Sequence, residues 1–143
     1  WMNVLLGSLY DAVAQAARDW LIQFLNTRAP ANLGGPLATL PRMQEVVGEV
    51  AAALQTNRVL LDHAAEAADA GAPLSITDSG LLKYTVTANA IRAVELALQL
   101  SGNHGLSRRN PLERHYRDVL CSRIHTPQND SILLAAGRTA LGV

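Results

Sequence analysis

The chain has 143 residues, which is enough for one domain with its own hydrophobic core. Twelve basic residues balance twelve acidic ones and only 4% of residues are aromatic, so we expect no nucleic-acid partner. Cys121 is alone, which excludes a disulfide framework, and no apolar run reaches the ~18 residues of a membrane span. The first residues lack the pattern of a signal peptide, so a cytoplasmic protein without membrane contact is expected.

Two long amphipathic helices are predicted in the first half of the chain. The first covers residues 2–27 and the second residues 41–70, and a Gly- and Pro-rich connector joins them. Leu and Ala recur at spacings of three and four, so each helix should bury one apolar face. Asp11 falls on another face of the first helix. The predicted apolar face of that helix holds Leu5, Leu9, Ala12, Ala16, Trp20 and Phe24.

A third long helix is predicted at residues 77–101. Ser75 and Asp78 have the spacing of a capping box at its start, and Gly102 should end it. Two shorter helices follow, and no strand pattern occurs anywhere in the chain. The predicted fold class is therefore all-α: an up-and-down four-helix bundle with three long helices and two shorter C-terminal helices.

The two short helices share one type of start signal. Asn110 should be the N-cap of the first, with Pro111 in the first helical position. Thr126 and Pro127 repeat the same arrangement before the second. Both segments are therefore predicted to begin with a side-chain cap.

No self-contained metal site is expected from the histidines. A di-iron bundle carries Glu-x-x-His on two helices, whereas His63-x-x-Glu66 has the reverse order. The other three histidines lack the spacing of one turn from each other. The arginines between residues 108 and 123 could bind phosphates or form ordinary surface ion pairs with nearby carboxylates, and the sequence leaves both readings open.

The segment from residue 99 to residue 118 carries a pattern known from one protein family. It reads Gln99-Leu-Ser-Gly102-Asn103-His104-Gly105-Leu106, then Pro111-Leu-Glu113-Arg114-His-Tyr-Arg117-Asp118. With Arg28 and the Pro36-Leu-Ala that follows it, this segment resembles the C-terminal domain of the acyl-CoA dehydrogenase superfamily of flavoproteins. Two positions depart from the family pattern: Asn103 replaces a Gly, and Leu106 replaces an aromatic residue.

The resemblance has consequences for domain organisation, cofactor and partners. It implies that residues 1–143 form a single helical C-terminal domain of a longer flavoprotein, whose N-terminal helical and β domains lie outside this chain. It also implies self-association to a dimer or tetramer and a flavin, FAD or FMN, held largely by a neighbouring subunit. An arginine suits phosphate charge, and glycines allow close backbone approach. The residues implied for cofactor binding are Arg28, Gln99, Gly102, Asn103 and Gly105.

The resemblance also directs attention to the catalytic base. The dehydrogenases of the family use a glutamate at one of two positions, which are Thr126 and Met2 in this chain, and neither residue can remove a proton. His125 instead resembles a histidine of the flavin-dependent monooxygenases built on this fold, of the dibenzothiophene monooxygenase and 4-hydroxyphenylacetate hydroxylase type. There the histidine faces the substrate and the flavin, and an imidazole that titrates near neutral pH suits proton handling. The resemblance therefore implies a monooxygenase with His125 as its catalytic residue.

Several alternatives stay open at this stage. The protein could be an acyl-CoA dehydrogenase with its base elsewhere, or a non-catalytic helical module for self-association. His125 could be an ordinary surface histidine beside a helix. A small-molecule substrate is expected for the longer flavoprotein, whereas these 143 residues alone are expected to be inactive.

Overall fold

The computed structural model describes all 143 residues, and they form a helical bundle without strands. The all-α fold predicted from the sequence is confirmed, and the three long helices begin and end within one residue of the predicted bounds. No helix has both the length and the hydropathy needed to cross a membrane. In chain order the helices are α1 (Met2–Thr27), α2 (Pro41–Asp69), α3 (Ile76–Ser101), α4 (Leu112–Leu120) and α5 (Asn129–Leu141).

Helix α3 is the central element of the bundle. It packs against α1, α2, α4 and α5 and buries more residues than any other helix, while Leu81, Ala88, Arg92 and Gln99 form one exposed face. Ser75 caps its first turn as predicted, since Ser75 Oγ accepts a hydrogen bond from the Asp78 N–H at 3.0 Å. Gly102 ends it at a φ of 54°, a conformation that favours glycine.

The face of α1 that points into the core differs from the predicted one. Leu5 and Leu9 are 62% and 54% exposed, and Ala12 and Ala16 are exposed as well. The prediction of the buried face was wrong because α1 carries apolar residues on two faces, and periodicity alone does not say which one meets the core. The residues that α1 buries are Gly7, Tyr10, Asp11, Ala14, Ala17, Leu21 and Leu25.

A polar network explains why Asp11 lies in the core. The Asp11 carboxylate accepts hydrogen bonds from Asn57 Nδ2 at 2.7 Å and from Gln15 Nε2 at 2.6 Å. Asn57 also donates to the Val86 carbonyl at 3.0 Å and accepts from Asn89 Nδ2 at 2.9 Å. Buried polar groups persist where they are hydrogen-bonded, so this network lets α1, α2 and α3 meet around a carboxylate that has no counter-ion.

Both N-caps predicted for the short helices are wrong. Helix α4 begins at Leu112 without a side-chain cap, and Asn110 Nδ2 donates to the His104 carbonyl at 2.7 Å instead. Helix α5 begins at Asn129 without a side-chain cap, and Thr126 lies before it on the cis peptide bond to Pro127. The side chain of Asn110 therefore joins the two ends of the loop between α3 and α4. Thr126 belongs to the turn between α4 and α5.

Candidate functional site

The residues predicted to bind a cofactor lie at one end of the bundle. Arg28 follows the last turn of α1, and its N–H donates to the Phe24 carbonyl at 2.9 Å. The Phe24 ring contacts the His104 ring at a centroid distance of 5.3 Å, which brings the end of α1 beside the loop after α3. Arg28, Gln99, Gly102 and Asn103 are all exposed there. Arg28 takes part in none of the four ion pairs, so its guanidinium is available to an anion.

Gly105 differs from the other predicted cofactor residues because this chain itself buries it. A Cβ atom at Gly105 would overlap Ser101 Oγ and would lie 3.0 Å from Leu112 Cδ2 and 3.1 Å from Leu98 Cδ2. The packing of the end of α3 against α4 is therefore enough to require a glycine at this position. Gly102 has open space around it, so of the two glycines only Gly102 leaves room for a ligand to approach the backbone.

His125 lies at the opposite end of the bundle, in the turn between α4 and α5. Its imidazole is exposed, and its Nδ1 atom is 2.9 Å from Tyr10 Oη on α1. The two rings meet edge to face at a centroid distance of 6.0 Å. Tyr10 is buried, and its burial, together with nearby Cys121 and Asp118, raises the pKa of its hydroxyl. The phenol is therefore neutral at physiological pH, and it can either donate to the imidazole or accept from it.

Lys83 is a buried residue of this end that the sequence analysis missed. Its Nζ donates to the backbone carbonyls of His125 at 2.6 Å, Pro127 at 2.5 Å and Ser122 at 3.4 Å. Three carbonyls match the three donors of an ammonium, while burial lowers the pKa of that ammonium. One signal was available, because Lys83 is the only lysine in the chain and stands directly after two leucines.

The two positions at which the family carries its glutamate also lie at the His125 end. Thr126 adjoins His125 in the turn, and Met2 begins α1 about two turns before Tyr10. Neither side chain is a carboxylate, and both are exposed. His125 is therefore the exposed side chain next to these positions that can accept or donate a proton at a ring nitrogen.

The structure does not bring His125 and the predicted cofactor residues together. Tyr10 marks the His125 end and Phe24 marks the Arg28 end, and they are about four turns apart on α1, or about 21 Å. No group of three His, Cys, Asp or Glu side chains is arranged to hold a metal ion. The chain therefore presents two separate surfaces: an arginine and loop surface suited to phosphates, and an imidazole surface suited to proton transfer.

Comparison with known proteins gives one consistent family. Residues 4–138 match the family model described as acyl-CoA dehydrogenase, C-terminal domain. The chain is 35% identical over 130 residues to YdbM of Bacillus subtilis, a candidate acyl-CoA dehydrogenase, covering 90% of this chain and 34% of that protein. It is 31% identical over 120 residues to the acryloyl-CoA reductase (NADH) of Anaerotignum propionicum, covering 84% of this chain and 30% of that protein.

The fold is also similar to that of a solved enzyme. The structure of butyryl-CoA dehydrogenase from Megasphaera elsdenii superposes with a TM-score of 0.88 at 22% identity, over 97% of this chain and 36% of that one. The chain thus spans about a third of the length of the curated relatives that it matches. These relatives are named for dehydrogenase and reductase reactions of acyl-CoA compounds, so the monooxygenase branch expected for His125 finds no support in them.

Proposed function

Since the chain belongs to the acyl-CoA dehydrogenase family, we propose that it is the C-terminal helical domain of a longer FAD-dependent oxidoreductase acting on acyl-CoA thioesters. The family match over residues 4–138 is the observation that carries this proposal. FAD replaces the earlier choice between FAD and FMN, because relatives of this family use FAD. Dehydrogenation or its reverse replaces monooxygenation, because those are the reactions for which the two relatives compared above are named.

The Arg28 end of the bundle would contribute to the flavin site. FAD supplies hydride acceptance to such an enzyme when it is bound. Exposed Arg28 suits the charge of its pyrophosphate, and the open space at Gly102 suits close approach of a ligand to the backbone. Gln99 and Asn103 add exposed amide groups beside them. The packing role of Gly105 leaves it the weakest member of this set.

The His125 end would handle the substrate proton. Removal of an α-proton from a thioester needs a base, and the two family positions for a glutamate hold Met2 and Thr126. His125 adjoins one of these positions, and its Nε2 atom has no hydrogen-bond partner in this chain. We therefore assign the acid–base role to His125, with Nε2 as the atom that exchanges the proton.

Self-association belongs to the same proposal. Leu5 and Leu9 lie one turn apart on an exposed face of α1, and Leu133 and Leu134 are adjacent and exposed on α5. Neighbouring exposed apolar side chains of this kind support a surface that another protein surface covers. A dimer or tetramer of the full-length protein is expected in sedimentation velocity. A strict monomer at high concentration would contradict this part of the proposal.

Anaerobic substrate titration of the full-length protein tests the reaction. Acyl-CoA thioesters of increasing chain length should bleach the visible absorbance of its flavin. His125→Ala should slow this bleaching about 10²- to 10⁴-fold, which is the usual size of an acid–base contribution, and should leave the flavin bound. His63→Ala is the matched control, because His63 is exposed on α2 and takes part in neither the ring contact of His125 nor that of Phe24.

The other outcomes separate the alternatives. Bleaching by no thioester, together with oxygen-dependent hydroxylation of an added substrate in the presence of a reductant, would favour a monooxygenase. A full-length protein that binds no flavin would favour a non-catalytic association module. Equal rates for His125→Ala and His63→Ala would show that the base lies elsewhere.

A further inference from the structure

The turn that carries His125 depends on one buried side chain. The carbonyls of His125 and Pro127 accept no backbone hydrogen bond, and Lys83 Nζ is the donor that each of them has. The carbonyl of Ser122 is the third acceptor of the same ammonium. Lys83 thus joins the N-terminal third of α3 to three points of a turn that lies about forty residues away in the sequence.

The buried charge of Lys83 is stable only while the turn keeps its carbonyls in place, and the turn keeps this shape only while the ammonium binds them. A buried ammonium is costly unless all its donors are paired, and Lys83 forms no ion pair with a carboxylate. The carbonyls that pair it follow the C-terminal end of α4, where the backbone carries partial negative charge. Opening the turn would therefore leave the ammonium without partners, so the buried lysine holds the turn closed.

The Tyr10 hydroxyl fixes the imidazole of His125, whereas the Lys83 ammonium fixes the backbone of the turn that carries it. Its hydroxyl is bonded to Nδ1 at 2.9 Å, and it has no other hydrogen-bond partner. Nε2 can take a proton only in the tautomer that carries its hydrogen on Nδ1, and that Nδ1–H donates to the phenol oxygen both before and after Nε2 is protonated. The titratable groups near this pair are Lys83 on α3, Asp118 on α4 and Cys121, which directly follows α4.

We propose that Lys83 and Tyr10 are the positioning residues of His125. Lys83 fixes the backbone of the turn, Tyr10 occupies Nδ1, and together they leave Nε2 as the nitrogen that meets a substrate. The substrate-facing role of Nε2 rests on the proposed function. The positioning of the turn does not, so it can be tested without a substrate.

Hydrogen exchange followed by mass spectrometry tests the role of Lys83 in the full-length protein. Lys83→Met removes all three donors, and the amides of the turn should then exchange about tenfold faster, equivalent to about 1.4 kcal/mol. Thr87→Val is the matched control: Thr87 is equally buried one turn further along α3, and its hydroxyl bonds only to carbonyls of α3. If Lys83→Met does not fold, Lys83→Gln, which keeps an amide donor, should give an intermediate rate. Equal exchange of the turn in the Lys83 and Thr87 variants would overturn the proposal.

Chemical modification of His125 tests the role of Tyr10. Diethyl pyrocarbonate acylates unprotonated imidazole nitrogen atoms, so its rate of reaction with the peptide that carries His125 reports on the access to that ring. Tyr10→Phe removes the hydrogen-bond partner of Nδ1 and should raise this rate about tenfold at a fixed pH, equivalent to about 1.4 kcal/mol. Tyr116→Phe should leave the rate unchanged, because the Tyr116 hydroxyl makes no hydrogen bond to the turn. An unchanged rate in Tyr10→Phe would overturn the role of Tyr10.

Turnover links the two results to the reaction. In the full-length enzyme, Tyr10→Phe should lower kcat while KM and the amount of bound flavin stay the same. A merely structural loss would change KM or the bound flavin together with kcat, and that result would contradict a positioning role. An inactive wild-type protein would refute the proposed function alone, since hydrogen exchange and modification would still decide on Lys83 and Tyr10.

Discussion

Replacing Asn57 by Leu should destabilise the bundle by about 2–4 kcal/mol. Every polar atom of Asn57 is used: Nδ2 bonds to Asp11 and to the Val86 carbonyl, and Oδ1 accepts from Asn89. Leu has a similar shape but leaves one oxygen of the Asp11 carboxylate without a donor in a position that is only 2% exposed. Hydrogen bonds to charged groups contribute about 1.5–3 kcal/mol, and the lost bond to Asn89 adds about 1 kcal/mol.

The double variant Asp11→Leu/Asn57→Leu sharpens this prediction. Removing both partners leaves neither a stranded carboxylate nor a stranded amide donor between them, and such paired replacements can be nearly neutral. The loss in the double variant should therefore be smaller than the sum of the two single losses by about 1–3 kcal/mol. Asn89→Ala is the comparison variant, because it removes only the donor to the neutral Oδ1 atom of Asn57 and should cost about 1 kcal/mol, less than the loss of the bond to the carboxylate.

Urea denaturation followed by circular dichroism measures these free energies of unfolding. The slopes of the transitions should agree between variants, so that the midpoints compare native-state stabilities. Single losses that add to the double loss within about 0.5 kcal/mol would show that Asp11 and Asn57 are not coupled, and would refute the reasoning.

Two further substitutions test packing and protonation. Gly105→Ala should cost about 1–3 kcal/mol in thermal unfolding, because its Cβ would overlap Ser101 Oγ and crowd Leu112. Gly137→Ala is its control, since it meets nothing within 4 Å on α5 and should stabilise the helix slightly; equal effects would contradict the packing argument. Burial lowers the pKa of His115, so the folded state binds its proton more weakly than the unfolded chain, and stability should fall as the pH drops below about 6.5. His115→Gln should reduce the fall in urea midpoint between about pH 7.5 and about pH 5.5, and an equal fall in both proteins would contradict this assignment.

The helix boundaries could be predicted because their signals are local. Ser75 with Asp78, and Gly102, act within one turn of the ends that they define, and the structure places the ends there. The failed caps show the limit of such signals. The amide of Asn110 had a second possible partner across the loop at His104, and the sequence does not say which partner is nearer.

The buried face and the His125 partners could not be predicted because their contacts are distant in the sequence. Asp11 is separated from Asn57 by 46 residues, so its polar character alone placed it on a solvent face. Tyr10 is separated from His125 by 115 residues, and no periodicity connects them. The proximity of Arg28 to the loop after α3 was implied by family resemblance, and the ring contact of Phe24 with His104 now gives it a physical basis.

The separation of the two ends leads to a prediction about subunits. The short ribityl chain between a flavin ring and its pyrophosphate cannot cover the distance of about 21 Å between the His125 end and the Arg28 end of α1. If both residues serve FAD, each flavin in an oligomer takes His125 from one subunit and Arg28 from another. Arg28→Ala alone should then weaken flavin retention, and His125→Ala alone should slow turnover.

Hybrid oligomers test this arrangement directly. Arg28→Ala and His125→Ala subunits carrying different affinity tags are co-expressed, and hybrids are purified through both tags. In a symmetric hybrid dimer one site receives both wild-type residues and the other receives neither, so turnover should recover to about half of the wild-type value. If both residues act within one subunit, every site in the hybrid carries one defect and turnover stays at the level of the single variants. Hybrids of His63→Ala with wild type, which should be fully active, control for the tags and the purification.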